Sequence, residues 1–140
     1  MGWQRFQYAI RMSRKQILIA DDNPLVRLLI RGTIECADFD VCAEVDNGTD
    51  AITKADQLHP DLILMDLYMP SLNGAAAAAV LKKHNPNTPI VLFTIHEDSI
   101  SESLAKHMGV DKVIGKPEGL SKLVDSMHEL LAVPPKTDCR

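Results

Sequence analysis

The chain has 140 residues and a mass of 15.5 kDa, which at roughly 100–200 residues per domain leaves space for one domain. Hydrophobic residues make up 46% and charged residues 24%, a balance that supports a packed core and excludes global disorder. The formal net charge of −4 offers no basic footprint for a phosphate backbone or anionic lipid, and no apolar run approaches the ~20 residues of a bilayer span, so neither direct nucleic-acid binding nor membrane insertion is expected.

Residues 1–12 carry scattered basic side chains and no uninterrupted apolar segment. They read as an N-terminal extension and not as a secretory signal, with Met12 as an alternative start. Phe6 stands where a myristoylation pattern wants Ser or Thr. One domain is expected over 13–133, followed by a tail at 134–140 that opens with Pro134-Pro135. Cys36, Cys42 and Cys139 are odd in number and lack metal-ligand spacing, which points to a reducing cytoplasm and gives no indication of a disulfide framework.

From Gln16 onward short β-rich runs alternate with stretches of helical periodicity, the pattern of parallel strands joined by crossover helices. Strands are expected at 16–20, 39–45, 61–65, 90–94 and 112–115, several of them apolar throughout, as strands covered on both faces are. The first helix follows Asn23 as cap and Pro24, with Val26, Leu29, Ile30, Thr33, Ile34 and Ala37 on one stripe. The second, over 48–58, presents Ala51, Ile52, Ala55 and Leu58. The third, about 73–84, contains Ala75 to Ala79 in a row, which favours a helix but leaves the buried face unspecified. The fourth, about 98–108, has only Ile100, Leu104 and Met108 as an apolar set and is the least anchored; the fifth carries Leu120, Leu123, Val124, Met127 and Leu131.

In an open α/β sheet ligands collect at the carboxyl ends of the strands. That edge here carries Asp21 and Asp22 after strand one, Asp66 after strand three, Thr94 at the end of strand four, and Lys116-Pro117 after strand five. Any one of these alone is a turn, a cap or a solvated charge. Together they place three carboxylates, a hydroxyl and an amine on one edge. Three gathered carboxylates raise one another's pKa unless cations neutralise them. One lysine and one Mg²⁺ bring the sum to zero, and Mg²⁺ characteristically takes carboxylates, waters and phosphate oxygens. An Asp is ionised at pH 7 and can attack phosphorus without a separate base, provided that cations neutralise the phosphoryl oxygens.

The blocks ILIADDNPLVR (17–27), DLILMDLYMPSLNG (61–74), IVLFTIHE (90–97) and VIGKP (113–117) resemble the four signature blocks of the response-regulator receiver domain of two-component signalling, in order and over about residues 15–132. The resemblance implies a flavodoxin-like (βα)5 doubly wound sheet of strand order 2-1-3-4-5. It implies Asp66 as the phospho-acceptor, and Mg²⁺ held by Asp22, Asp66 and the backbone carbonyl of Tyr68, with Asp21 acting through water. Thr94 would report phosphorylation, Lys116 would pair with the phosphoryl group, and Pro117 would follow a cis Lys-Pro bond.

VCAEVDNGTDA and LFTIHEDS look most like the LuxR/NarL-type subfamily, whose members carry a DNA-binding domain after the receiver; this chain stops before one could begin. The expected function is therefore a single-domain response regulator in the cytoplasm, phosphorylated by a histidine kinase or phosphotransfer protein and read by a downstream protein target. Monomer and homodimer both remain open. The chain departs from the pattern at Val113, where many receivers have an aromatic toggle, and at Ile95, where many have a small residue that keeps the site open. His96, two residues past Thr94, is either a solvated loop side chain or a lining of the path of water, whereas His59, His84, His107 and His128 share no metal spacing.

Three other readings are open to such a chain. A haloacid-dehalogenase-like phosphohydrolase wants Asp-x-Asp after strand one, which Asp21-Asp22-Asn23 does not supply. An FMN binder wants a Ser/Thr/Gly-rich phosphate loop at that place. A receiver used as an unphosphorylated interaction module is the closer rival.

Overall fold

A computed structural model describes residues 14–135, so the N-terminal extension 1–12 and most of the tail lie outside the described residues. Five strands, β1 (Gln16–Ala20), β2 (Asp40–Val45), β3 (Leu62–Met65), β4 (Ile90–Thr94) and β5 (Lys112–Gly115), form one parallel sheet in the order β2-β1-β3-β4-β5. Helices α1 (Pro24–Cys36), α2 (Gly48–Leu58), α3 (Gly74–His84), α4 (Glu102–Met108) and α5 (Leu120–Leu131) follow the strands in turn. This is the flavodoxin-like arrangement anticipated from the motif blocks.

The period of two along each strand sorts the core into two layers. Ile17, Ile19, Leu62, Leu64, Val91 and Phe93 pack with Ile30 and Ile34 of α1 and Leu123 and Met127 of α5. Leu18, Ala20, Ile63, Met65, Ile90 and Leu92 face the opposite way, against Ala51 and Ala55 of α2, Ala77, Ala78 and Leu81 of α3, and Ala105 of α4. The small side chains on α2 and α3 let these helices approach each other and the sheet closely. Packing thus supplies the buried face that the Ala run of α3 left unspecified.

Asparagine side chains start three of the helices. Asn23 accepts from the amides of Leu25 and Val26 (3.0 and 3.3 Å), Asn47 from Asp50 (2.8 Å) and Asn73 from Ala76 (2.9 Å), each satisfying a first-turn donor that the helix itself cannot. At the opposite edge of the sheet Asp61 accepts from the Gln16 amide (2.7 Å) and Asp111 from the Ile90 amide (2.8 Å), which ties down the strand starts.

Several expectations need correction. On α1, Leu29 is 55% exposed, and Leu25 and Leu28 are also exposed, so the buried stripe narrows to Ile30, Ile34 and Ala37. A stripe drawn from apolar spacing was wider than the face that the sheet covers. The fourth helix begins at Glu102, later than expected, because Ser101 caps it through the Leu104 amide (3.1 Å) while 97–99 form a separate 3₁₀ turn. Its buried residue is Ala105; Leu104 points outward. β2 and β3 each begin one residue later than expected. Cys42 is free, and Cys139 lies outside the described residues.

Truncation should separate the two faces of α1. Ile34→Ala opens a cavity under a fully buried side chain and should cost about 2–5 kcal/mol, whereas Leu25→Ala at 62% exposure should stay within about 0.5 kcal/mol of wild type, both read from urea unfolding midpoints.

Candidate functional site

The ladder hydrogen bonds continue past the strand ends and fix the acidic residues. The Asp21 amide donates to the Val45 carbonyl (3.1 Å) and the Asp66 amide to the Ala20 carbonyl (2.9 Å), so the two carboxylates stand side by side where the adjacent strands β1 and β3 end. Asp21 and Asp66 are buried and Asp22 is exposed. One carboxylate oxygen from each of the three can lie within 4.8 Å of the others. Oxygen donors this close suit a hard divalent cation, and the exposed Asp22 leaves one side open for water and substrate oxygens.

Lys116 enters from the end of β5. Its Nζ donates to Oδ2 of Asp66 at 3.0 Å and lies 2.9 Å from Oδ2 of Asp21, bridging the two buried carboxylates. Burial works against its charge, but the hydrogen bonds to Asp21 and Asp66 outweigh burial, and its pKa is raised above 10.5. The ammonium therefore stays charged throughout the neutral range.

The turn that presents Lys116 is closed by Glu118, whose Oε2 accepts from the Gly115 amide at 2.8 Å. The expected cis Lys-Pro bond is corrected: the described residues contain no cis peptide bond. Pro117 instead sits inside a 3₁₀ turn over Lys116–Glu118, where the fixed φ of its ring already suits a helical turn.

Thr94 is fully buried at the end of β4, and its hydroxyl accepts from the His96 amide at 3.1 Å. That contact uses an acceptor lone pair and leaves the hydroxyl proton to donate elsewhere. Beyond it, the rings of His96 and Tyr68 meet edge-on, with centroids 4.5 Å apart and planes at 74°. Tyr68 is 54% and Ile95 64% exposed, so the mouth carries an aromatic pair on one side and an outward isoleucine beside it.

Two glycines set the loop between β3 and α3. A Cβ on Gly74 would run into the Asp66 carbonyl and Leu67 Cα, and a Cβ on Gly48 into the Leu72 carbonyl. The first turns of α2 and α3 therefore press directly on the backbone that carries Asp66 and Tyr68. Sequence reasoning missed these contacts, as it missed Glu118 and an Arg27 guanidinium that donates to the Asp21 carbonyl (2.6 Å). Nothing in the sequence alone singles out Gly48 or Gly74 for these contacts. An Arg or Glu in a helical stretch carries no signal of what it reaches.

Residues 17–128 match the response regulator receiver domain family. The chain belongs to that family. Among relatives, the receiver is 36% identical over 115 residues to the response regulator protein VraR of Staphylococcus saprophyticus, matching 81% of this chain and 55% of VraR, so it spans about half the length of that relative. It is 30% identical over 116 residues to the chemotaxis protein CheY of Thermotoga maritima, covering 83% of this chain and 97% of CheY. Among solved structures, the response regulator domain of Thermotoga maritima CheB superposes with a TM-score of 0.78 at 26% identity, over 87% of this chain and 99% of that one. A LuxR-family two-component response regulator from Aurantimonas sp. superposes with a TM-score of 0.80 at 27% identity, over 89% and 90%. No helix among the described residues is long and apolar enough to cross a membrane.

The raised Lys116 pKa fixes the sign of a pH effect. A cation with a raised folded-state pKa contributes its stabilisation fully below the unfolded value near 10.5 and loses it as pH rises through the higher folded value. Titration of the Lys116 side chain by NMR should give a midpoint above 10.5, and Asp21→Asn should lower it.

Proposed function

We propose that this receiver is a phosphorylatable switch that accepts a phosphoryl group on Asp66 from the phosphohistidine of a histidine kinase or phosphotransfer protein, in a Mg²⁺-dependent step, and signals through a protein partner. The observation that carries this reading is the Asp66 carboxylate held at the sheet edge within reach of two further carboxylates, with Lys116 on its Oδ2.

An Asp66 oxygen forms the new bond to phosphorus as the donor's P–N bond breaks, and the bonding pair leaves with the imidazole. The nucleophile needs no general base, because Asp is ionised at neutral pH. Lys116 moves its hydrogen bond from Asp66 to a phosphoryl oxygen while keeping Asp21, so the buried charge stays paired throughout. The Thr94 hydroxyl proton turns to the same phosphoryl group, which gives β4 a sensor of the modified state. Asp22, Asp66 and the Tyr68 carbonyl would hold Mg²⁺, with Asp21 acting through water, and the ion would supply charge neutralisation and orientation of the phosphoryl oxygens. The protein turns over only its own acyl phosphate and is a switch, not an enzyme in the usual sense.

Incubation with acetyl phosphate and Mg²⁺ should give a phosphoryl mass gain that maps to Asp66. Asp66→Asn, which keeps size and hydrogen bonding but loses the nucleophilic charge, should abolish it, and Asp22→Ala should slow it and weaken Mg²⁺ binding. Equal labelling of Asp66→Asn and wild type would overturn Asp66 as the acceptor, and no labelling of wild type would favour an unphosphorylated interaction module.

Tyr68 and His96 follow Asp66 and Thr94 by two residues each and their rings meet edge-on; in this reading the pair flanks the path of attacking water. Replacing both by Ala should shorten the lifetime of the phosphorylated protein severalfold, measured by loss of label after removal of the donor. An unchanged lifetime would remove the rings from the path of water.

A further inference from the structure

The peptide that joins Asp21 to Asp22 is gripped from outside the site. Arg27, in the first turns of α1, donates from Nη1 to the Asp21 carbonyl oxygen at 2.6 Å, and its Nε lies 3.4 Å from Oε1 of Glu44 on β2. Glu44 is in turn held by Arg31, Nε to Oε2 at 2.6 Å, and Arg31 pairs with Glu35 one turn further along α1. The Arg27 side chain is only 20% exposed, so this is a partly buried clamp that spans the helix, the loop and the edge strand.

Asp21 itself is already well restrained. Its amide bonds Val45, its Oδ1 accepts from the Asn23 amide at 2.9 Å and its Oδ2 meets Lys116. Asp22 differs, because its carboxylate is exposed and its direction follows from the peptide plane that precedes it. The Asp21 carbonyl lies in that plane, and Arg27 is the side chain that fixes it.

We propose that Arg27 is a positioning residue for the divalent cation: anchored by Glu44, it clamps the Asp21–Asp22 peptide and aims the exposed Asp22 carboxylate at the cluster that Asp21 and Asp66 form. The inference rests on the reading of Asp21, Asp22 and Asp66 as a cation site.

The charge and the geometry of Arg27 act in opposite directions. A fixed guanidinium near a cation site repels the cation, so if charge were its whole effect its removal would tighten Mg²⁺ binding. A clamp on the backbone of a ligand helps binding, so its removal weakens it, and groups that orient metal ligands typically carry 10–100-fold in affinity. The sign of the change therefore tells the two roles apart.

The test is a Mg²⁺ titration of the full chain without any phosphodonor, followed by the amide NMR shifts of residues 21, 22 and 66. Wild type is compared with Arg27→Met, which loses both donor and charge, and Arg27→Gln, which loses the charge but keeps a donor for the carbonyl. Arg27→Met should weaken Mg²⁺ about tenfold, while Arg27→Gln should stay within about twofold of wild type. Melting curves establish that each variant is folded, and Arg27→Gln carries the test if Arg27→Met is not. Unchanged or tighter binding in Arg27→Met, or the same loss in both variants, overturns the proposal while leaving the cation site standing. A wild-type protein that shows no Mg²⁺-dependent shift at these residues overturns the cation reading and the proposal with it.

Discussion

Two buried carboxylates share a single ammonium, and most of the architecture around the sheet edge serves that contact. Asp21 and Asp66 stand together because β1 and β3 are neighbours and each Asp is the first residue after its strand. Two neighbouring buried carboxylates repel each other. Lys116, at 2.9 and 3.0 Å from them, places one positive charge against both. With Asp22 added the cluster keeps a residual negative charge, and its oxygens lie close enough to hold a cation. Lys116 comes from β5, two strands away from β3, so the charge balance depends on the whole right-hand half of the sheet being in register.

Around this centre the backbone is held by means that involve no catalytic side chain. Gly48 and Gly74 let the starts of α2 and α3 bear on the loop between Asp66 and Asn73, and Asn47 and Asn73 cap those helices at that place. Ser71 in the same loop has a left-handed backbone (φ 65°), and its hydroxyl lies 3.3 Å from that of Thr49 on α2. A left-handed conformation costs a residue with a side chain on the order of 1–2 kcal/mol, so the loop is shaped by its neighbours more than by its own preference. The loop carrying Tyr68 is thereby fixed from α2 and α3, whereas the loop carrying Asp22 is fixed from α1 and β2.

The two flanks of the site differ in how deeply their helices are seated. α5 buries Leu123 and Met127, and Phe39 packs against His128 with ring centroids 5.0 Å apart, so this helix is well seated. α4 has seven residues, of which Ala105 is buried, and the segment before it is a short 3₁₀ turn. Few buried apolar contacts mean a low local opening energy. Thr94, directly upstream of this segment, accepts from the His96 amide through its hydroxyl. Val113 of β5 is half-buried and packs against the core cluster that includes Ala105 of α4.

The sequence by itself determined the sheet, its parallel order of strands and helices, and the identity of the acidic, hydroxyl and amine residues at its edge. These are legible because buried parallel strands are apolar runs, helices show their period, and residues that follow strands directly inherit their position from them. The bounds of β1, β4 and β5 and the Asn23 cap follow from the same local rules. Only the tertiary structure decided which face of α1 is covered, since Leu29 has the spacing of a core residue and lies outside, and which alanines of α3 face inward. It alone placed Lys116 on Asp21 as well as Asp66, set the Lys-Pro bond trans within a 3₁₀ turn and brought Arg27 to the Asp21 carbonyl. Each of these depends on the distance between elements far apart in the chain. Local periodicity and propensity carry no information about that distance.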